Sequence, residues 1–293
     1  MKKTVFKGAG VAIVTPMFDD GSVNFDKLGE LIEFNINNNT DAIIVCGTTG
    51  ESKTLNDAEH KAVIEYAVKK VNKRVPVIAG TGSNDTKYSI QLSKHAEKCG
   101  ADALLLVTPY YNKATQKGLY IHFKAIADSV DIPCILYNVP SRTGVNISVQ
   151  TYKKLSEVDN IVATKEASGD ISHISKIAAE CDLAIYSGND DQIVPIMALG
   201  GIGVISVLSN IEPNQTHNIC EYMLRGEYEK ARELQFKYLP LIDALFCEVN
   251  PIPVKTALNL MGFNVGPLRL PLCDMEDDTL CKLKNCLKSV NLI

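Results

Sequence analysis

The sequence predicts an α/β fold: a (β/α)8 TIM barrel with a C-terminal helical extension, within one chain of 293 residues. Three observations carry that expectation. Eight short runs rich in Val, Ile and Leu recur without polar alternation, as strands buried on both faces read. Their centres lie roughly 20 to 34 residues apart, which leaves room for a helical crossover between each pair. After the eighth run only helical patterns remain. Eight such units close a barrel; an open doubly wound sheet is the other arrangement the pattern allows.

In order, the runs are Val11–Thr15, Ala42–Cys46, Pro76–Ala79, Ala103–Thr108, Pro133–Tyr137, Ile161–Lys165, Leu183–Tyr186 and Gly203–Val207. Between the first two, Asp26–Asn37 sets Leu28, Leu31, Ile32 and Phe34 among polar neighbours. Asn56–Val71 carries a periodic face of Ala58, Ala62, Ile64, Ala67 and Val68, with Asn56 as a candidate N-cap. Thr86–Cys99 repeats the pattern and stops at Gly100. Gly118–Ser129 and Val149–Glu157 continue it. The tail reads as helices over Pro213–Leu224, Glu227–Phe246, Pro251–Met261 and Glu276–Val290. Pro251 or Pro253 suits a first helical turn, and Pro240 is expected to kink or split its helix. The expected division is a catalytic barrel over 1–226 and a helical domain over 227–293, packed on the barrel because no low-complexity linker separates them.

Composition narrows the function. Hydrophobic residues at 46% and charged residues at 22% are those of an ordinary soluble globular protein. A net charge of −4 argues against nucleic-acid binding, which draws on a basic surface. Nine cysteines, an odd number with no C-x-x-C, read as reduced thiols of a cytoplasmic protein. The five histidines form no ligand spacing, so no metal is expected. No run approaches 18 apolar residues, so no membrane span is expected, and Val11–Val14 is too short for a signal-peptide core. Gly47-x-x-Gly50 lacks a following Gly-Lys-Ser/Thr and no strand is followed by G-x-G-x-x-G, so no nucleotide cofactor is expected.

Barrel active sites lie at the carboxyl ends of the strands, and those ends carry chemistry here. Lys165 closes the apolar run Ile161-Val162-Ala163. Burial favours the neutral amine of a lysine, which can attack a ketone and form a Schiff base; pairing with Glu166 or a rim carboxylate is the structural alternative. Tyr137 ends the neighbouring strand, either to trade protons through a hydroxyl relay or to fill the barrel mouth. Thr48, Thr49 and Tyr111 could supply that relay and bind a carboxylate, although threonine in a Gly-rich turn also serves as a backbone cap. Arg142, one of only five arginines, could hold a carboxylate bidentately or form a surface ion pair.

The strings Gly47-Thr48-Thr49-Gly50-Glu51-Ser52, Tyr137-Asn138-Val139-Pro140-Ser141-Arg142-Thr143-Gly144 and Lys165-Glu166-Ala167-Ser168-Gly169 resemble the dihydrodipicolinate synthase family, within the N-acetylneuraminate lyase superfamily of Schiff-base aldolases. The resemblance spans almost the whole chain, including Thr108-Pro109-Tyr110-Tyr111-Asn112, Ser187-Gly188-Asn189-Asp190 and Gly203-Val204-Ile205-Ser206. It implies an imine between Lys165 and pyruvate, with Tyr137, Thr48 and Tyr111 as the proton relay. Tyr111 would reach into a neighbouring subunit's site, in a homotetramer built as a dimer of dimers. Thr49 and the main chain at Ile205 would hold pyruvate. Arg142 would take the carboxylate of L-aspartate 4-semialdehyde, and the product would be 4-hydroxy-tetrahydrodipicolinate, on the way to diaminopimelate and lysine. N-acetylneuraminate lyases and 2-keto-3-deoxy-sugar-acid aldolases would share Lys165 and Tyr137, but they generally carry Ser-Thr at Thr48-Thr49 and lack the arginine. A non-catalytic keto-acid-binding barrel would be expected to have lost the lysine or the tyrosine.

The resemblance also points to a lysine-binding cleft at Ser52, Lys53, Asp57, His60, Asn84, Tyr88 and Tyr110. Ser52, His60, Asn84 and Tyr110 match the inhibitable pattern. Asp57 and Tyr88 stand where inhibitable members carry His and Glu, and Lys53 would repel the ligand's ammonium. Lysine is therefore expected to inhibit weakly or not at all.

Overall fold

A computed structural model describes residues 2–293. The eight strands are β1 (Gly8–Ala12), β2 (Ala42–Val45), β3 (Val77–Gly80), β4 (Ala103–Val107), β5 (Cys134–Asn138), β6 (Ile161–Glu166), β7 (Ala184–Ser187) and β8 (Gly203–Ser206). All pair in parallel with their sequence neighbours, and β8 returns to β1. The sheet is therefore a closed barrel, and the open doubly wound alternative is excluded.

The absence of alternation in the strand sequences has a direct cause: both faces are buried. Along β4 and β5, Leu104, Leu106 and Leu136 pack toward the helices, while Leu105, Ile135 and Tyr137 fill the interior with Ile44, Ile78 and Ile205. At the amino end, Phe6 stacks on Tyr186 at 4.4 Å between ring centroids, and the Tyr186 hydroxyl donates to the Phe6 carbonyl at 2.7 Å. This plug leaves the carboxyl end as the open one.

The first strand begins at Gly8, three residues before the expected Val11, and ends at Ala12 rather than Thr15. Its opening Gly-Ala-Gly escapes a reading keyed to bulky apolar residues, yet the small size is required. A Cβ on Gly10 would lie 2.6 Å from Ile44 Cδ1, and one on Gly203 would lie 1.9 Å from the Gly8 carbonyl oxygen.

The crossover helices are α1 (Phe25–Asn37), α2 (Asp57–Val71), α3 (Thr86–Cys99), α4 (Gln116–Ala127), a single turn α5 (Pro140–Thr143), α6 (Val149–Leu155), α7 (Ile171–Glu180) and α8 (Ile193–Ala198). Short polar side chains start them: Asn24, Asp85, Thr115, Ser148 and Asp170 accept from first-turn amides. Asn56 and Glu59 form a reciprocal capping box on α2.

Four helices follow: α9 (Pro213–Leu224), α10 (Tyr228–Leu245), α11 (Ile252–Leu260) and α12 (Asp277–Ser289). Pro240 lies inside α10 and does not split it. The proline removes only the bond to the carbonyl of residue 236, and Phe236 faces solvent. Apolar residues of α10, α11 and α12, among them Leu241, Val254 and Leu283, join the same buried cluster as the barrel's outer face. No helix among the described residues is long and apolar enough to cross a membrane.

Candidate active site

The geometry of Lys165 begins with an irregularity between β5 and β6. Cys134 pairs with Ile161, but Ile135 pairs with Ala163, so Val162 is an extra residue in β6. Bulges of this kind re-aim side chains. Without it, Tyr137 would sit beside Thr164; with it, Tyr137 pairs with Lys165. The Lys165 Nζ stands 4.5 Å from the centroid of the Tyr137 ring, and both residues are buried, each 6% exposed.

Glu166 is not the lysine's partner. Its carboxylate accepts from the Tyr152 hydroxyl, from Asn138 Nδ2 at 3.1 Å and from Ser168 Oγ at 2.9 Å. Burial pushes the Glu166 carboxyl pKa up, against the pull of those donors. No carboxylate among the described residues forms an ion pair with Lys165, which leaves the amine free of the structural alternative.

A cavity of about 170 Å³ opens beside Lys165, with Tyr137, Thr48, Thr49, Arg142 and Asn250 in its walls. The loop after β2 supplies the threonines, and it is pinned from below and behind. Thr15 Oγ1 donates to the Gly50 carbonyl at 2.7 Å. Glu51, in left-handed backbone at φ 52°, is fully buried with its carboxylate between Lys255 Nζ at 2.8 Å and the Arg269 amide at 3.0 Å. Arg269 in turn grips Glu59 at 2.5 Å and the Gly21 and Thr54 carbonyls. Thr49 is 2% exposed, and its hydroxyl oxygen accepts from Asn250 Nδ2 at 3.0 Å.

Arg142 lies in α5 and points Nη2 to the Asn250 carbonyl at 3.1 Å. Among the described residues it has no carboxylate partner, so the surface ion pair does not form. Ile205 is fully buried in β8 and packs in the barrel interior, with Val207 rather than Ile205 lining the cavity. The segment after β8 is held by Asp190, whose Oδ2 accepts from the Val207 and Leu208 amides at 3.0 Å each; burial raises that carboxyl's pKa against these bonds. Tyr111 is apart from the rest: it is 93% exposed, at φ 72°, and lines neither cavity of this chain.

A second, contiguous cavity of about 320 Å³ shares Thr48, Tyr137, Arg142 and Asn250 and runs out to Ser52, Lys53 and Tyr110. Lys53 Nζ lies 4.8 Å over the Tyr110 ring and donates to the Gly82 carbonyl at 3.1 Å. His60 and Asn84 do not line it. His60 Nε2 is bonded to the Gly80 carbonyl at 2.9 Å, and burial lowers its pKa to about 4. Asn84 donates to the Tyr110 carbonyl at 3.1 Å. Asp57 accepts from Lys61 Nζ at 2.7 Å, which holds its carboxyl below the usual range; burial, and then the nearby Asp57, raise the Tyr88 hydroxyl's pKa.

Asn250 and Asp190 are the site-forming residues that pattern reading did not single out as functional. Asn250 was legible only as the residue before Pro251 at a helix start, and Asp190 only as part of a matching string. Neither residue type nor spacing announces the Thr49 partner of Asn250, 201 residues away, or the Val207 and Leu208 amides held by Asp190.

A closed eight-stranded barrel with a cavity at the carboxyl ends of its strands, lined by a buried lysine amine and a tyrosine ring, has the form of a barrel enzyme's active site. The chain belongs to the dihydrodipicolinate synthetase family, which it matches over residues 5–290. The 4-hydroxy-tetrahydrodipicolinate synthase of Clostridium perfringens is 60% identical over 291 residues, covering 99% of this chain and 100% of the relative. The crystal structure of dihydrodipicolinate synthase from Aquifex aeolicus superposes with a TM-score of 0.96 at 48% identity, over 98% of this chain and 99% of that one. A monomeric dihydrodipicolinate synthase variant is 43% identical, with a TM-score of 0.96 over 99% of this chain and 98% of its own.

Proposed function

We propose that this chain is a cytoplasmic 4-hydroxy-tetrahydrodipicolinate synthase that condenses pyruvate with L-aspartate 4-semialdehyde through a Schiff base on Lys165. The observation that carries the site assignment is the Lys165 amine 4.5 Å from the Tyr137 ring, without a carboxylate partner among the described residues, in a cavity that also holds Thr49 and Arg142. The Lys165 amine attacks C2 of pyruvate, and the carbinolamine loses water to give an imine. Loss of a C3 proton gives the enamine, whose C3 attacks the aldehyde carbon. The amine of the second substrate then attacks C2, closes the ring and releases Lys165 as free amine. The net reaction joins the two substrates and expels water.

Proton traffic falls to Tyr137, with Thr48 and the Tyr111 of a second copy as relay partners. Thr49, in the cavity wall beside Lys165, holds the pyruvate end; Ile205, set back in the barrel interior, could reach it only through its main chain. Arg142, free of any ion pair among the described residues, offers its fork to the carboxylate of the aldehyde substrate. That unpaired cation also supports the synthase over an aldolase acting on a polyol chain, which has no comparable anion at that end. A side chain as exposed as Tyr111 supports its burial against another copy, in a homotetramer built as a dimer of dimers. Lys53, its ammonium over the Tyr110 ring, supports weak or absent inhibition by lysine.

Borohydride reduction in the presence of pyruvate tests the centre of this reading. The adduct is expected on Lys165, and K165A is expected to lose both adduct and turnover. An adduct on another lysine, or none, sinks the mechanism. Turnover of aspartate semialdehyde but not of N-acetylmannosamine separates the synthase from a lyase.

A further inference from the structure

Asn250 occupies an unusual position. It comes from the junction between α10 and α11, yet it forms part of the wall of both cavities. Its Nδ2 donates to Thr49 Oγ1 at 3.0 Å, and its main-chain carbonyl accepts from Arg142 at 3.1 Å. It is 5% exposed. Its Oδ1 is buried with no hydrogen-bond partner among the described residues. An orphaned buried acceptor is costly, and Asn35 Oδ1 and Gln235 Oε1 share that condition outside the cavities; what sets Asn250 apart is its place in the cavity wall. Here only the donor end is used, and it is used on Thr49.

Donor and acceptor accounting gives that bond a consequence. A threonine hydroxyl has one hydrogen and two lone pairs. Because Thr49 Oγ1 accepts from Asn250, its hydrogen points away from the amide. The buried oxygen has no other protein partner among its hydrogen bonds, and Thr49 itself lines the cavity beside Lys165.

We propose that Asn250 is a positioning residue for keto-acid binding: it sets the polarity of the Thr49 hydroxyl, so that the hydroxyl presents its proton to an anionic carboxylate. This rests on the reading of the cavity as a keto-acid site. The same residue's carbonyl seats the guanidinium of Arg142, so the helical extension sets both groups assigned to substrate anions.

The polarity can be inverted by a near-isosteric change. In N250D a carboxylate replaces the amide, can only accept, and takes the Thr49 proton for itself. The pyruvate KM of N250D is expected to rise about 10-fold or more, with kcat within about threefold of the parent. N250A is expected to raise it less, because the hydroxyl becomes free to rotate. In a T49V background N250A should change the pyruvate KM by less than about twofold, since the group it acts through is gone. Unchanged KM in N250D overturns the proposal, as does an N250A effect undiminished by T49V. Should N250A fail to fold, as judged by its thermal transition, N250D with and without T49V carries the same comparison. Borohydride trapping on Lys165 at saturating pyruvate is expected to survive in every variant. Its absence in the parent protein would overturn the Schiff-base reading instead, which keeps the two failures distinct.

Discussion

Lys165 and Tyr137 stand near the ends of adjacent strands and bring an amine and a phenol to one cavity, while Arg142 brings a cation to its rim. A lysine that ends an apolar strand is chemically conspicuous, and so is a tyrosine ending the strand beside it; both were legible without knowing the register. That they face each other was not, because it depends on Val162 as an extra residue in β6. Asn250 was illegible for the same kind of reason, since its partner Thr49 is 201 residues away. The two assigned roles are separable in kinetics. Y137F keeps the ring beside the lysine and removes the hydroxyl, so kcat is expected to fall about 10²-fold or more while a slower borohydride adduct still forms on Lys165. R142A leaves the chemistry at C2 in place and removes the carboxylate fork. It is expected to raise the KM for aspartate semialdehyde about 10-fold or more, with the pyruvate KM little changed. Steady-state kinetics with each substrate varied in turn checks both, and a uniform loss in kcat from R142A would contradict the assigned division of labour.

At the scale of elements, helices with polar caps read well and edges set by glycine or by tertiary contact did not. Asn56 and Gly100 bound their helices as expected, whereas β1 was displaced toward its bulky residues and away from the Gly-Ala-Gly that the crowded strand start requires. Pro240 promised a break that the solvent-facing side of α10 does not need. The most consequential contact between elements was invisible: the Glu51–Lys255 pair joins the threonine-bearing loop after β2 to α11, with side chains 0% and 1% exposed. Desolvation lowers the Lys255 pKa while Glu51 opposes that shift, and Lys255 also donates to the Pro267 carbonyl at 2.5 Å. Removing one partner strands the other charge in the interior. K255M is therefore expected to destabilise the protein by about 3–5 kcal/mol. Adding E51Q neutralises the stranded carboxylate while keeping an acceptor for the Arg269 amide, so the double variant should recover part of the loss. Denaturant midpoints of the two variants give the comparison; a double variant less stable than K255M would show that the pair is not what the loop depends on.

For the molecule as a whole, buried histidines contribute to the response to acid. His60 and His122 are 3% and 5% exposed, and burial lowers each from 6.5 to about 4. The groups around His60 pull both ways, with Lys53 and His95 lowering its pKa and Asp57 and the Gly80 carbonyl raising it; Asp85 raises that of His122. Between about pH 4 and 6.5 the unfolded chain therefore binds protons at two positions where the folded chain does not. Stability rises with pH wherever the unfolded state holds more protons, so each of these histidines erodes stability as pH falls through that window. His217 acts in the opposite sense. Its bond to Asp41 at 2.8 Å raises its pKa, so its contribution is fully present below about 6.5 and is lost as pH rises through the raised value. Carboxylates divide between the two senses, burial raising Glu166, Asp190, Asp191 and Glu212 while paired bases lower Glu33, Asp57, Glu59 and Glu65, so each histidine's contribution is read as the change a variant makes in the fall of melting temperature between pH 7 and pH 4.5. H60Q, whose side-chain amide can still donate to the Gly80 carbonyl, should show a shallower fall over that range, whatever its stability at pH 7. H217N should show a steeper one, because it removes the group that favours the folded state in acid. Calorimetric scans across the window measure the three slopes, and parallel slopes in the parent and H60Q would refute the assignment of acid sensitivity to that buried ring.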